Sequence, residues 1–228
     1  FNNTLKCFEI ETGKEIWNFK SDDTFIKSKK KLSLILENGI LYFNNTIGDL
    51  TAVNPNDGSL IWQTPTQDSS VFLNSFSLKN SDLNFSKNKI YFSNNFGEFF
   101  SIDAVTGIIN WTQNINSVFK PIYVDNLVIT LTENGYFYVI DDETGNVIRI
   151  TNIFNDKKNK HKLKIKNFIL LNDKILVSIN SGALIYIDIQ TAFTKDLKVK
   201  HMSKEFNSTF YEGSLYLFSN SSIIKNYL

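Results

Sequence analysis

Cysteine, arginine, histidine and proline are nearly missing from this chain, and each scarcity removes a class of explanation. A single cysteine, Cys7, rules out an internal disulfide framework. The two histidines, His161 and His201, have no second His or Cys at metal-ligand spacing, so no zinc site is written here. No apolar run approaches the length of a membrane-spanning helix. The formal net charge is only +1, so no global field invites nucleic acid or a membrane. Nothing resembles a nucleophile elbow or a Gly-rich phosphate loop. Arg149 is the sole arginine among the 24 basic residues, while Asn, Ile and Phe are abundant. That bias is the mark of A/T-rich coding sequence rather than of a function.

What is present is an eleven-residue phrase that returns at a steady interval. It reads small–x–Asp–x–x–Thr–Gly–x–x–x–Trp. Full copies run from Cys7 to Trp17, Ala52 to Trp62 and Ser101 to Trp111, and eroded copies from Val139 to Arg149 and Tyr186 to Asp196. The turn residues Gly13, Gly58, Gly107, Gly145 and Ala192 are 45, 49, 38 and 47 residues apart, a period that means a repeat architecture. Where the phrase ends in Trp it begins with a small residue, Cys7, Ala52 or Ser101. Where it ends in Arg149 or Asp196 it begins with Val139 or Tyr186. An indole lying over the first position explains the pairing, because a packed interior leaves no void.

Short apolar runs bounded by Asn, Gly and Asp precede each phrase, as in Ile40 to Phe43 and Leu50 to Val53, or Leu127 to Ile129 and Phe137 to Ile140. These are strand signals. Tight-turn pairs introduce them: Asn38-Gly39, Asn88-Lys89, Asp125-Asn126, Asn172-Asp173 and Glu212-Gly213. One more short strand lies upstream of each pair, as in Leu32 to Leu36 or Phe168 to Leu171. Each repeat is therefore four strands, the last hairpin closed by Asp-x-x-Thr-Gly. Apolar residues on both faces of the third strand require sheets covered on both sides. The sequence predicts an all-β chain, a β-propeller of four-stranded antiparallel blades. A parallel β-helix would need shorter repeats, and a sandwich would not need the phrase to recur.

The phrase resembles the tryptophan-docking motif of the pyrroloquinoline-quinone-like repeat, matched by Ala52, Asp103, Thr106, Gly107 and Trp111. The expected organisation is one incomplete propeller over 1–228. Its blades lie near 1–20 (partial), 32–64, 82–113, 121–151, 167–198 and 207–228 (partial). Since propellers of this family generally close with about eight blades, five to six of them make a partial ring, expected as an open arc from the C-terminal portion of a longer protein. Residues expected to serve docking are Trp17, Trp62, Trp111, Cys7, Ala52, Ser101, Gly13, Gly58, Gly107 and Gly145. The indoles should be buried against the turn that ends their own phrase or against an adjacent blade. Ala192, at a glycine position, is expected to change the turn and avoid positive φ.

Glu9, Asn54, Asp103, Asp141 and Asp188 recur once per blade, which marks hairpin closure rather than catalysis. Quinone-dependent dehydrogenases of this fold carry calcium and usually two adjacent cysteines, and no such pair occurs here. No catalytic residue, metal or cofactor is expected. Lys157, Lys158, Lys160 and Lys162, with Lys164 and Lys166, crowd one connection between blades. They read either as a solvated loop or as a basic contact for an acidic partner or an anionic lipid surface.

Among scaffolds with this repeat, the chain resembles the lipoprotein B family of the outer-membrane β-barrel assembly machinery. What the resemblance implies is a periplasmic scaffold held to the outer membrane by a lipid anchor outside this chain. Its implied protein partners are the barrel-assembly subunit and unfolded outer-membrane proteins, with no nucleic acid. The alternatives are a portion of a quinone-dependent dehydrogenase and an extracellular sensor or binding propeller.

Overall fold

The structure, a computed structural model, describes residues 4–20, 33–44, 48–66, 80–94, 96–171, 174–197, 207–211, 214–218 and 223–227. His201, the turn pairs Asn172-Asp173 and Glu212-Gly213, and the expected blade limits Phe1, Leu32, Lys198 and Leu228 lie outside the described residues. The chain divides into two compact units, Phe1–Pro121 with Glu143–Gly145, and Ile122–Asp142 with Asn146–Leu228.

The first unit holds a two-stranded sheet of β1 (Thr4–Phe8) and β2 (Glu15–Lys20). Two four-stranded sheets follow it. One is β3 (Leu34–Glu37), β4 (Ile40–Asn44), β5 (Leu50–Val53) and β6 (Leu60–Thr64). The other is β7 (Asn84–Ser86), β8 (Lys89–Ser93), β9 (Phe99–Asp103) and β10 (Ile109–Gln113). The second unit holds β11 (Ile122–Val124), β12 (Leu127–Leu131), β13 (Tyr136–Asp141) and β14 (Val147–Asn152) as one sheet. A second sheet comprises β15 (Ile165–Leu171), β16 (Lys174–Ile179), β17 (Leu184–Asp188) and β18 (Thr194–Leu197). A three-stranded sheet, β19 (Asn207–Tyr211), β20 (Ser214–Phe218) and β21 (Ile223–Tyr227), ends the described chain. Within each sheet, strands adjacent in sequence pair antiparallel.

Hairpin geometry follows from residues that tolerate positive φ. Asn38 and Gly39 (φ 51° and 73°) and Asp125 and Asn126 (49° and 63°) form two-residue loops with positive φ throughout, the requirement of a type I′ turn. In the third sheet the loop is Lys87-Asn88 (47° and 58°), one residue earlier than the expected Asn88-Lys89. The register shows it: Ser86 pairs with Lys89, Phe85 with Ile90 and Asn84 with Tyr91, which leaves Lys87 and Asn88 as the loop. The amide of Asn38 donates to the side-chain oxygen of Asn88 at 3.0 Å, tying two neighbouring turns together.

Both faces of the middle strands are buried, which is why they read as unbroken apolar runs. Tyr42, Leu50 and Ala52 pack against Ile90, Phe92, Phe100 and Ile102 of the next sheet. Phe43 and Val53, on the opposite face, pack with Trp17 of the previous one. The hairpin β1–β2 lacks such cover on one side: Phe8 and Ile10 are 51% and 99% exposed, whereas Val53 and Ile102, the counterparts of Phe8, are fully buried.

The final hairpins share one irregularity. In four copies the register slips by one residue after the turn, between Cys7 and Phe8, Ala52 and Val53, Ile109 and Trp111, and Val139 and Ile140. This bulge lets the phrase's first residue stand directly opposite its last: Cys7 opposite Trp17, Ala52 opposite Trp62, Ser101 opposite Trp111, Val139 opposite Arg149. The fifth copy has no slip, so Tyr186 faces Lys195 and not Asp196. The alignment of Asp196 with the tryptophans is corrected accordingly; Asp196 pairs with Ile185.

Candidate functional site

The polar residues of the phrase close its turn. Asp103 Oδ1 accepts the backbone N–H groups of Val105 (3.1 Å) and Thr106 (2.7 Å) and the Thr106 hydroxyl (2.7 Å). The same hydroxyl accepts the N–H of Ile108 at 3.3 Å, and the N–H of Gly107 reaches the Asp103 carbonyl at 2.9 Å. The turn at Asp188 repeats this pattern through Thr191 and Phe193. In the second copy Asn54 accepts from Asn56 N–H at 2.9 Å, and Asp57 accepts from the N–H and hydroxyl of Ser59.

These bonds favour the ionised carboxylates. The Thr106 hydroxyl, followed by the N–H groups of Thr106 and Val105, holds the Asp103 carboxyl below its ordinary range against the opposing effect of burial. Asp188 is lowered likewise, first by the backbone N–H of Thr191 and then by its hydroxyl. A carboxylate whose folded value is depressed stabilises the fold fully above its unfolded value, near pH 4, and that contribution fades as pH falls through the folded value. Asp103→Asn should therefore flatten the acid limb of stability below about pH 4, while costing roughly 1 kcal/mol at neutral pH. Urea unfolding of both proteins across this range measures it, and an unchanged acid limb would count against the assignment.

The indoles dock on the turn of the following copy. A Cβ at Gly58 would stand 2.5 Å from the Trp17 ring, one at Gly107 2.7 Å from the Trp62 ring, and one at Gly145 2.5 Å from the Trp111 ring. Trp17 Nε1 donates to the Pro55 carbonyl at 2.9 Å, and Trp62 Nε1 to the Ala104 carbonyl at 3.2 Å. Two residues beyond the indole, a side chain adds a further clasp. The Thr64 hydroxyl donates to the Gly107 carbonyl, and Gln113 Nε2 to that of Gly145 at 2.7 Å. Ala52 and Ser101 are fully buried beneath their own tryptophans' strands, and Cys7 is half-buried. Gly13 differs from Gly58, Gly107 and Gly145: among the described residues nothing lies within 4 Å of its would-be Cβ.

Ala192 overturns the expectation set for it: φ is +56°, the same left-handed geometry as Gly58 and Gly107. The cost, roughly 1–2 kcal/mol for an L residue, is outweighed by the intact Asp188–Thr191 network and by the Ala192 N–H bond to the Asp188 carbonyl at 2.8 Å. A methyl group fits there because the preceding copy ends in Arg149 rather than Trp. Arg149 Nη1 donates to the carbonyls of Ile189, at 3.3 Å, and Gln190. Ile189 occupies the place of Pro55 and Ala104, so the guanidinium reaches the acceptor that an indole N–H otherwise takes. The sequence signal for this contact lies between copies: each Trp is followed by Gly in the next turn, and Arg149 by Ala192.

The lysine-rich connection is an ordered surface. Phe154 is buried over Gly135, where a Cβ would meet its ring at 2.4 Å. Lys160–Lys162 form one 3₁₀ turn after Asn159 in left-handed geometry. Asn180, from the β16–β17 turn, donates to the Lys162 carbonyl at 2.9 Å and accepts the Lys164 N–H at 3.0 Å. Lys157 pairs with Asp196, Lys164 donates to Asn134, and Lys160 donates to Asn155 at 3.2 Å. Lys158, His161 and Lys162 are exposed. Among the described residues, no cluster of three or more His, Cys, Asp or Glu could hold a metal ion.

Comparison with known proteins adds to this geometry. Residues 2–151 match a family model described as outer membrane protein assembly factor BamB. The outer membrane protein assembly factor BamB of Legionella pneumophila (strain Paris) is 24% identical over 153 residues, which is 63% of this chain and 37% of that protein. The crystal structure of BamB from Moraxella catarrhalis superposes with a TM-score of 0.76 at 15% identity, over 98% of this chain and 66% of that one. The computationally designed protein Ika8 superposes with a TM-score of 0.71 at 16% identity, over all of this chain and 66% of its own. The fold is a β-propeller of four-stranded antiparallel blades, and the chain spans well under half the length of the curated relative.

Proposed function

We propose, because this chain belongs to the outer membrane protein assembly factor BamB family, that it is a non-catalytic periplasmic scaffold in outer-membrane β-barrel assembly. It binds protein partners through the connections between its blades: the barrel-inserting subunit of the machinery and unfolded outer-membrane proteins. The observation that carries this reading is the use made of the recurring phrase. Its carboxylates close turns and its indoles dock on the next turn, so the residues that recur once per blade have structural work. The connections are what remains free to differ from blade to blade, and a scaffold recognises partners there. Docking serves the same end, since an indole seated on the next turn ties neighbouring copies together.

The test uses the full-length protein. It should bind the purified barrel-inserting subunit with a dissociation constant of about 1 μM or tighter. Titration with calcium and pyrroloquinoline quinone should give neither saturable binding nor dye-coupled alcohol or glucose oxidation. Quinone-dependent turnover, or failure to bind the subunit, would sink the scaffold reading.

A further inference from the structure

The connection between β14 and β15 concentrates charge. Residues 157–166 hold six lysines, with Asp156 just ahead, in a chain whose formal net charge is only +1. The rest of the molecule is thus net negative. The backbone that carries these lysines is fixed in place by Asn180, by the Lys160–Lys162 turn and by the bond from Ile165 N–H to the Glu133 carbonyl at 3.0 Å. Lys157, Lys160 and Lys164 are engaged with neighbours. Lys158, Lys162 and Lys166 are exposed, and among the described residues their ammonium groups make no hydrogen bond or ion pair. Ile153, Phe154 and Ile165 are turned into the core.

We propose that this connection is a binding surface for anionic phospholipid headgroups, resting on the reading of an outer-membrane-associated scaffold. The chemistry favours a lipid surface over an acidic protein. Protein interfaces are enriched in Arg, Tyr and Trp at their centres and depleted in Lys. This connection has neither arginine nor an exposed Phe, Tyr or Trp. Lysine ammonium groups are compact point charges that need no fixed partner geometry, which suits a fluid array of phosphates. With Ile153, Phe154 and Ile165 buried and Leu163 half-buried, the surface has little to insert between acyl chains. Adhesion is therefore peripheral and reversible by salt. Each free lysine near an anionic bilayer contributes roughly a fivefold gain in partitioning, so three contribute roughly a hundredfold.

The experiment is co-sedimentation of the full-length protein, without its lipid anchor, with two kinds of vesicle. One is pure phosphatidylcholine; the other contains about one-third phosphatidylglycerol, enough for a strongly negative surface. The protein should bind the second and not the first, and about 1 M salt should release it. The triple variant Lys158→Gln, Lys162→Gln, Lys166→Gln should bind roughly a hundredfold more weakly with an unchanged thermal unfolding curve. Equal binding to both vesicles, or a triple variant that binds like the parent, would overturn the proposal. So would binding to poly-glutamate without binding to vesicles, which would assign the surface to an acidic protein. The triple variant should still bind the barrel-inserting subunit. Failure on vesicles therefore leaves the scaffold reading to its own test.

Discussion

Gly145→Ala is expected to destabilise the protein by about 2–5 kcal/mol. The added methyl group would stand 2.5 Å from Trp111 Cγ and 2.7 Å from Cδ2, on a residue whose φ is +73°. Two costs combine: roughly 1–2 kcal/mol for an L residue in left-handed geometry, and about 1–3 kcal/mol for overpacking against a rigid ring. Gly13→Ala separates them. Gly13 has φ +68° and, among the described residues, open space around its would-be Cβ, so only the conformational part applies. Urea midpoints at constant m-value measure both variants. Equal losses at the two positions would show that the turn alone, and not the indole above it, demands glycine. Ala192 is the natural counterpart of this comparison, left-handed at +56° with no indole over it.

Trp111→Ala should cost about 3–5 kcal/mol, the range for deleting a large buried ring. Trp111 is 8% exposed and stacks with Phe99 at 6.0 Å between centroids, so its loss opens a cavity on both sides. The informative measurement is the double variant Trp111→Ala, Gly145→Ala. With the ring gone, the alanine at 145 loses its clashes with Cγ and Cδ2 and keeps only the 2.8 Å approach to the Cβ at position 111, so most of the overpacking cost is relieved. The double variant should thus be more stable than additivity allows by about 1–3 kcal/mol. Additive losses would mean that ring and turn do not touch in solution.

Much of the fold was legible because it is local. Apolar alternation, Asn- and Gly-bearing turns and the recurring phrase are read within windows of ten residues, and they place β4, β5, β8, β9, β12, β13, β16 and β17. The misplaced turn at Lys87-Asn88 shows the limit of that reading. Asn is favoured at positive φ, but the pairing of Ser86 with Lys89 makes Lys87-Asn88 the two-residue loop, so Lys87 takes positive φ as well. Ala192 failed for a similar reason. The rule against positive φ acts on one residue, whereas several hydrogen bonds from Asp188 and Thr191 act on the whole turn.

The docking contact was only half visible. Comparing each phrase with itself pairs Trp17 with Cys7 and Trp62 with Ala52, which are true cross-strand partners. It hides Gly58 and Gly107, which belong to the next copy, 41 and 45 residues further on. Arg149 looked like decay of the motif, because a one-letter comparison does not show that a guanidinium donates to the carbonyl at Ile189. In the lysine-rich connection, composition gave the charge, but Asn180 and Phe154, which shape the surface, carry no signal of their own.

The placement of ring and glycine in successive copies bears on how such a chain can grow. The second and third copies each contribute the glycine of one contact and the indole of the next, so neither is self-sufficient and neither has a private partner. A gene segment copied in tandem from one phrase to the next brings an unmatched half at each end. It finds a complement on both sides as long as its neighbours keep Trp and Gly. Such lineages can gain or lose blades without redesigning a seam. Arg149 and Ala192 break that interchangeability. A blade ending in Trp, inserted between them, would set its indole against the Ala192 methyl group, so this junction accepts an inserted blade less readily than the Trp–Gly junctions do.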